Sequence, residues 1–107
     1  MSETFARILQ LVQVGSVRIS EHGYDEMAAD DILARNVIKS VAAGVVVEDY
    51  PDYPKGPSVL TLQRDVDGQP IHVVWGIPKN EMGPAVLVTA YRPDRERWED
   101  DFRRRRR

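Results

Sequence analysis

Cysteine is absent from the 107-residue chain, which rules out a disulfide framework and a zinc–thiolate site and fits a reducing, cytoplasmic setting. Long apolar runs are missing as well. Nothing approaches the roughly 20 consecutive apolar residues that a membrane span needs. The amino-terminal MSETFARILQLVQVG carries Glu3 early and does not read as a signal peptide. With no internal repeat and no Pro- or Ser-rich linker, residues 1–107 read as one domain. Basic charge is scarce except at the end. Five of the 15 basic side chains form the run RRRRR at 103–107, so residues 1–102 hold 10 basic groups against 17 acidic ones, a net −7. So acidic a body is a poor general binder of phosphate backbones, and any contact with nucleic acid falls to a local patch or to the tail. The tail reads either as a frayed, solvated end or as an arm for nucleic acid or a partner.

What is present divides into helices first and strands after. ETFARILQLVQV places Phe5, Ile8, Leu9 and Val12 at helical spacing, with Gly15 as a stop, so residues 1–15 read as an N-terminal helix. Ser20 suits the N-cap of a short helix, EHGYDEMAA, and Asp30 that of a third, DILARNVIKSVAAG, ending at Gly44. VVVEDY, SVLTLQR, PIHVVWGI and AVLVTAY are then four short runs rich in β-branched and aromatic residues. DRERWEDDFRRRRR, with Asp94 as N-cap, acids early and arginines late, reads as a terminal helix. The expected fold is α+β: N-terminal helices packed on one face of a four-stranded antiparallel meander, with a C-terminal helix.

Asp67-Gly68 is a two-residue hairpin signal and sets a register. It pairs Arg64 with Ile71, Gln63 with His72 and Leu62 with Val73. Alternation then places Leu60, Leu62, Ile71, Val73 and Trp75 on the core face, with Val86, Val88 and Ala90. Gln63, His72, Thr89 and Tyr91 gather on the opposite face as a polar cluster. Polar residues on a solvated face need no function, and a one-residue slip would exchange the faces.

ISEHGYDEM, ILARNVIKSVAAGVVVEDYP, LTLQR, PIHVVWG and VTAYRPDRERW occur in an order that resembles the domain of unknown function four-two-five-eight family. The resemblance runs from about residue 18 to residue 102. The positions matching its recurring pattern are His22, Tyr50, His72, Thr89, Tyr91 and Trp98. The chain departs from the pattern at Glu26, where a basic residue commonly precedes the methionine, so one phosphate contact is missing. The family is similar to the RelE-like toxins of the barnase–EndoU–colicin–RelE superfamily. That likeness implies a small α+β toxin of a toxin–antitoxin pair, with an antitoxin-like protein partner, an RNA substrate and no cofactor.

Metal-independent RNA cleavage needs a base, an acid and a cation at the phosphate. His72 and His22 suit proton transfer. Arg64 or Arg92 suits the phosphate, with Arg18 a comparable choice. Tyr91 or Tyr50 suits stacking or orientation, and Gln63 and Thr89 complete the substrate contacts. Each has a plainer reading: His22 as a helix-start residue bonded nearby, Tyr50 and Tyr53 as turn-flanking aromatics, Trp98 as packing. The loop EDYPDYPKGP, rich in Pro and Tyr, could also grip a base. His22 and Glu26 have metal-ligand spacing but no HExxH-like motif around them, and no metal site is expected. The sequence therefore supports a toxin-like endoribonuclease and, as the alternative, a non-catalytic binding module that engages a protein partner. A small-molecule or metal-dependent enzyme ranks third.

Overall fold

The computed structural model describes residues 2–106; Met1 and Arg107 lie outside the described residues. Helix α1 (Glu3–Gln13) starts where the Ser2 hydroxyl accepts the Phe5 N–H at 3.0 Å. It buries Ile8, with Phe5, Leu9 and Val12 packed beside it, the face its spacing predicts. A three-residue strand, β1 (Val17–Ile19), leads into α2 (Glu21–Ala29). Ser20 ties this corner to the last strand. Its hydroxyl caps α2 by accepting the Gly23 N–H at 2.8 Å and donates to Val88 O at 2.6 Å, while its own N–H donates to Leu87 O at 3.0 Å. A Cβ on Gly23 would sit 3.0 Å from the carbonyl oxygens of Leu87 and Val88, so glycine lets α2 lie directly on that strand.

Helix α3 (Ala34–Ser40) begins later than the sequence suggests and runs into a 3₁₀ turn, Val41–Ala43. Asp30 does not cap it. Asp30 ends α2 instead, and its carboxylate accepts the Arg92 N–H at 2.9 Å. Asp31 then takes a left-handed φ of 55°, and Leu33 precedes α3 without a side-chain cap.

Strands β2 (Val45–Tyr50), β3 (Ser58–Arg64), β4 (Pro70–Gly76) and β5 (Ala85–Tyr91) form the expected antiparallel meander. The sheet is nevertheless five-stranded and mixed, in the order β1-β5-β4-β3-β2, because β1 adds parallel to β5 with Val17 opposite Ala85 and Ile19 opposite Leu87. A strand this short, joined to its partner by no hairpin, carries little periodicity to read.

The hairpin register is one residue off the expected one. Arg64 pairs with Pro70, Gln63 with Ile71 and Leu62 with His72. Asp65 causes the shift. Its carboxylate accepts the N–H groups of Asp67 and Gln69, both at 2.9 Å, its carbonyl accepts the Gly68 N–H at 3.0 Å, and Gly68 has φ 77°. Asp67-Gly68 thus closes a turn beginning at Asp65, followed by a left-handed glycine, and not a two-residue turn. Ile71, Val73 and Trp75 do face the helices and His72 does face away, but β3 is reversed: Val59, Thr61 and Gln63 point to the helices, Leu60 and Leu62 outward. On β5 a bulge at Val88 sets Val74 opposite Thr89 and Trp75 opposite Leu87. Ala90 enters the inner core as expected, but Leu87 joins it and Val86 and Val88 face outward, contrary to the expected alternation.

The terminal helix does not form. Asp94 turns the chain by accepting the Glu96 N–H at 2.8 Å, and the backbone then doubles back, with Glu99 N–H on Arg104 O and Arg106 N–H on Arg97 O, each at 2.8 Å. Phe102 takes a left-handed φ of 58° within this reversal, a conformation no α-helix tolerates. The segment from Pro93 to Arg106, here termed the strap, lies across the outer sheet face. There Trp98 and Phe102 bury against Leu60, Leu62, Val47 and Val74. Helices thus cover one face of the sheet and the strap covers half of the other.

Candidate binding site on the outer sheet face

Under the strap, His72 is fully enclosed, 0% exposed. Its Nε2 donates to Phe102 O at 2.7 Å, and its ring meets Trp98 edge-on at 4.4 Å and Tyr91 at 5.8 Å between centroids. Nδ1 has no partner, so the neutral Nε2–H tautomer fits the site. Burial holds the His72 pKa below its ordinary value of 6.5, against the opposing pull of the Phe102 carbonyl. Beside it Arg105 grips Glu48 through two bonds of 3.0 and 3.2 Å while lying over the Trp98 ring at 4.7 Å. The Arg105 bonds hold the Glu48 carboxyl below the usual range, and the Tyr50 hydroxyl donates to that carboxylate at 2.6 Å, which pushes the phenol up. Burial pushes the Tyr91 phenol up as well.

A His whose pKa falls on folding stabilises the fold fully above its unfolded value and loses that contribution as pH drops through the folded one. Urea midpoints measured from pH 8 to pH 5 are therefore expected to decline below about pH 6.5, and His72→Gln is expected to flatten the decline. An unchanged slope in the variant would place the titration elsewhere.

The other half of this face is open. A cleft of about 450 Å³ has a floor of Val74, Gly76, Val86 and Val88, and a rim that includes Arg18, Tyr50, Tyr53, Lys55 and Ser58. Its loop is braced by backbone bonds, Gly56 N–H to Tyr53 O at 2.9 Å, Ile77 N–H to Pro57 O at 3.0 Å and Lys79 N–H to Lys55 O at 3.1 Å. Gly56 has φ 130°, and a Cβ there would collide with Ile77 O and lie 2.7 Å from Lys79 N, so only glycine lets the loop close this tightly. The neighbouring groove along the strap, about 990 Å³, is lined by Arg103, Arg104, Arg105 and Arg106 but also by Glu48 and Glu99.

The candidate residues read from sequence are dispersed. His22 lies exposed on α2, its Nε2 3.5 Å from Glu26, while His72 is buried on the opposite side of the sheet from the core that α2 joins; they do not form a pair. Gln63 belongs to the inner core and not to the outer face. Its amide nitrogen donates to Val37 O and Ser40 Oγ at 2.7 and 2.8 Å, and its oxygen accepts from Trp75 Nε1 at 2.8 Å. Arg64 is exposed and bonds Gly68 O, while Arg92 pairs with Asp65 at 2.8 Å, away from the cleft. Thr89 and Tyr91 do share the outer face with His72. Of these candidates, Tyr50 reaches both the cleft and the covered half. Lys55 and Ser58 were not singled out by sequence. The signal that could have found them is PDYPKGP itself, a punctuated loop carrying two aromatics and one cation.

The described residues contain no group of three or more His, Cys, Asp or Glu placed to hold a metal, and no helix among them is long and apolar enough to cross a membrane. Fold and site define a small α+β domain with a ligand-sized cleft on a half-covered sheet. The chain belongs to the family described as Domain of unknown function (DUF4258), whose model matches residues 19–92. That span takes in β2 to β5, α2, α3 and the cleft apart from Arg18, and ends where the strap begins. Neither the curated proteins nor the solved structures gave a match.

Proposed function

We propose that the chain is a binding module that takes its ligand in the outer-face cleft, with His72 serving packing and not proton transfer. The observation that carries this reading is the enclosure of His72. A general acid or base must come within hydrogen-bond reach of the proton it moves. Neither ring nitrogen of His72 is open to a substrate, whereas the cleft beside it is pre-formed, apolar at its floor and polar at its rim, as ligand sites are.

A second reading is a toxin-like, metal-independent endoribonuclease related to the RelE-like toxins and restrained by an antitoxin-like protein. One arrangement favours it: Glu48, Tyr50, His72, Tyr91 and Arg105 gather at the strap, supplying a carboxylate, an imidazole and a cation. That chemistry requires the strap to lift.

Induced expression of the wild type beside His72→Gln and His22→Ala, with total RNA examined from the same cultures, separates the two. Normal growth and intact RNA at high soluble expression are expected throughout. Growth arrest with RNA cleavage that His72→Gln relieves, in a variant shown to fold by circular dichroism, would establish the nuclease and end the binding-module reading.

A further inference from the structure

We propose that the cleft binds a single nucleotide, its planar base on the apolar floor beside Tyr50 and Tyr53 and its phosphate held by Arg18 and Lys55. The inference rests on the binding-module reading and names the ligand class.

Charge marks the place. The chain carries 17 acidic side chains, yet none lines the cleft, whose rim has Arg18 and Lys55. Of the other twelve described cations none lines the cleft, and five are paired with carboxylates: Arg92 with Asp65, Arg97 with Asp94, Arg104 with Asp101, Arg105 with Glu48, and Arg106 with Glu99 and Asp100. Among the described residues neither Arg18 nor Lys55 has a carboxylate within ion-pair distance. Of the acids adjoining Tyr50 and Tyr53, Glu48 is paired with Arg105 and accepts the Tyr50 hydroxyl, while Asp49 and Asp52 are neighbours in sequence that do not line the cleft.

Shape and chemistry narrow the anion. Inorganic phosphate would leave the floor of Val74, Val86 and Val88 wet, so the ligand carries an apolar or planar body. Tyr50 and Tyr53, 44% and 51% exposed, offer ring faces of the kind on which unstacked bases are held. A long strand is disfavoured, because its phosphates would run over a body of net −7. One nucleotide places its charge at Arg18 and Lys55, the cations that line the cleft, and nowhere else. The braced loop, with Gly56 at its pivot, keeps Tyr53 and Lys55 in position before any ligand arrives, which lowers the ordering cost of binding.

The test is a heteronuclear NMR titration of the full chain with adenosine monophosphate, adenosine and inorganic phosphate, run in parallel with an acetylated, amidated Glu-Phe-Leu tripeptide. Adenosine monophosphate is expected to shift the amides of Tyr53, Lys55, Ser58, Val74 and Val88 saturably, and to bind more tightly than adenosine or phosphate alone. Arg18→Ala and Lys55→Ala, both exposed positions, are each expected to weaken it about tenfold, and Tyr53→Ala to do the same. No saturable shift with adenosine monophosphate, or affinity indifferent to Arg18→Ala and Lys55→Ala, overturns the proposal. Phosphate binding as tightly as the nucleotide overturns it in favour of a simple anion site. Saturation by the tripeptide alone overturns the nucleotide class while leaving the binding-module reading intact, whereas RNA cleavage in the expression experiment removes that reading itself.

Discussion

Replacing Trp98 by alanine is expected to lower folding stability by about 3–5 kcal/mol, the range for removing a buried large aromatic, and to return His72 towards ordinary titration. Trp98 is 4% exposed and is the keystone of the strap: it packs with Leu60 and Leu62, meets the His72 ring at 4.4 Å and supports the Arg105 guanidinium at 4.7 Å. Without it, water reaches the imidazole, and the burial that holds the His72 pKa down weakens. Urea unfolding reads the first effect and the His72 ring-proton NMR titration the second. Arg105→Ala is the contrast. It breaks the pair with Glu48, but the Arg105 side chain is 60% exposed, so the loss should stay within about 1 kcal/mol. Should Trp98→Ala cost no more than Arg105→Ala and leave the titration unmoved, the strap is not the packed cover described above.

Gln63→Leu is the second large effect. Gln63 is almost fully buried, and its amide answers Val37 O, Ser40 Oγ and Trp75 Nε1 together. Leucine fills much of the same space but leaves the indole N–H unpaired and the Val37 carbonyl with only the Ser40 hydroxyl, 3.3 Å away, in place of the Gln63 amide. Each orphaned buried group costs about 1–3 kcal/mol, so a total of about 2–4 kcal/mol is expected in urea unfolding. Thr61 is a partial relief, since its hydroxyl lies 3.1 Å from Val73 O as well as 3.0 Å from the Gln63 oxygen and can turn to the carbonyl. Gln63→Glu should be worse above pH 7, because a carboxylate would face the Val37 carbonyl with no proton to offer. Equal stability of all three proteins would mean that the network is dispensable.

Gln63 also explains why β3 misled the pattern. Alternation identifies a face only where one side of a strand is wet. Here Val59, Leu60, Thr61, Leu62 and Gln63 are all buried, because helices lie on one side and the strap on the other. Glutamine and threonine, which look like surface residues, sit inside with their bonds satisfied, while two leucines face the strap. Strand β4 was legible because Ile71, Val73 and Trp75 dominate one parity, and α1 because its apolar stripe is wide. The Val88 bulge is set by Ser20, whose hydroxyl bonds Val88 O from 68 residues away, a constraint no local window contains. The terminal helix failed for a local reason in part visible beforehand: Asp94 and Asp101 each accept an N–H two residues on, the turn chemistry that competes with helix. Of the site, Tyr50 and Arg18 were readable as aromatic and cationic candidates. Their meeting with Lys55 was not, since it depends on the β1–β5 pairing and on the loop pivoting at Gly56.

The strap divides one sheet face into a packed half and an open half, and the boundary is drawn by how far a single stretch of chain extends before it doubles back. Changing loop length is thermodynamically mild, since closure entropy grows only slowly with residue number. The area left for a ligand is therefore adjustable by insertion or deletion between Tyr91 and Trp98, without altering any side chain that lines the cleft. Reach, not composition, is the variable that trades stability against access on this surface.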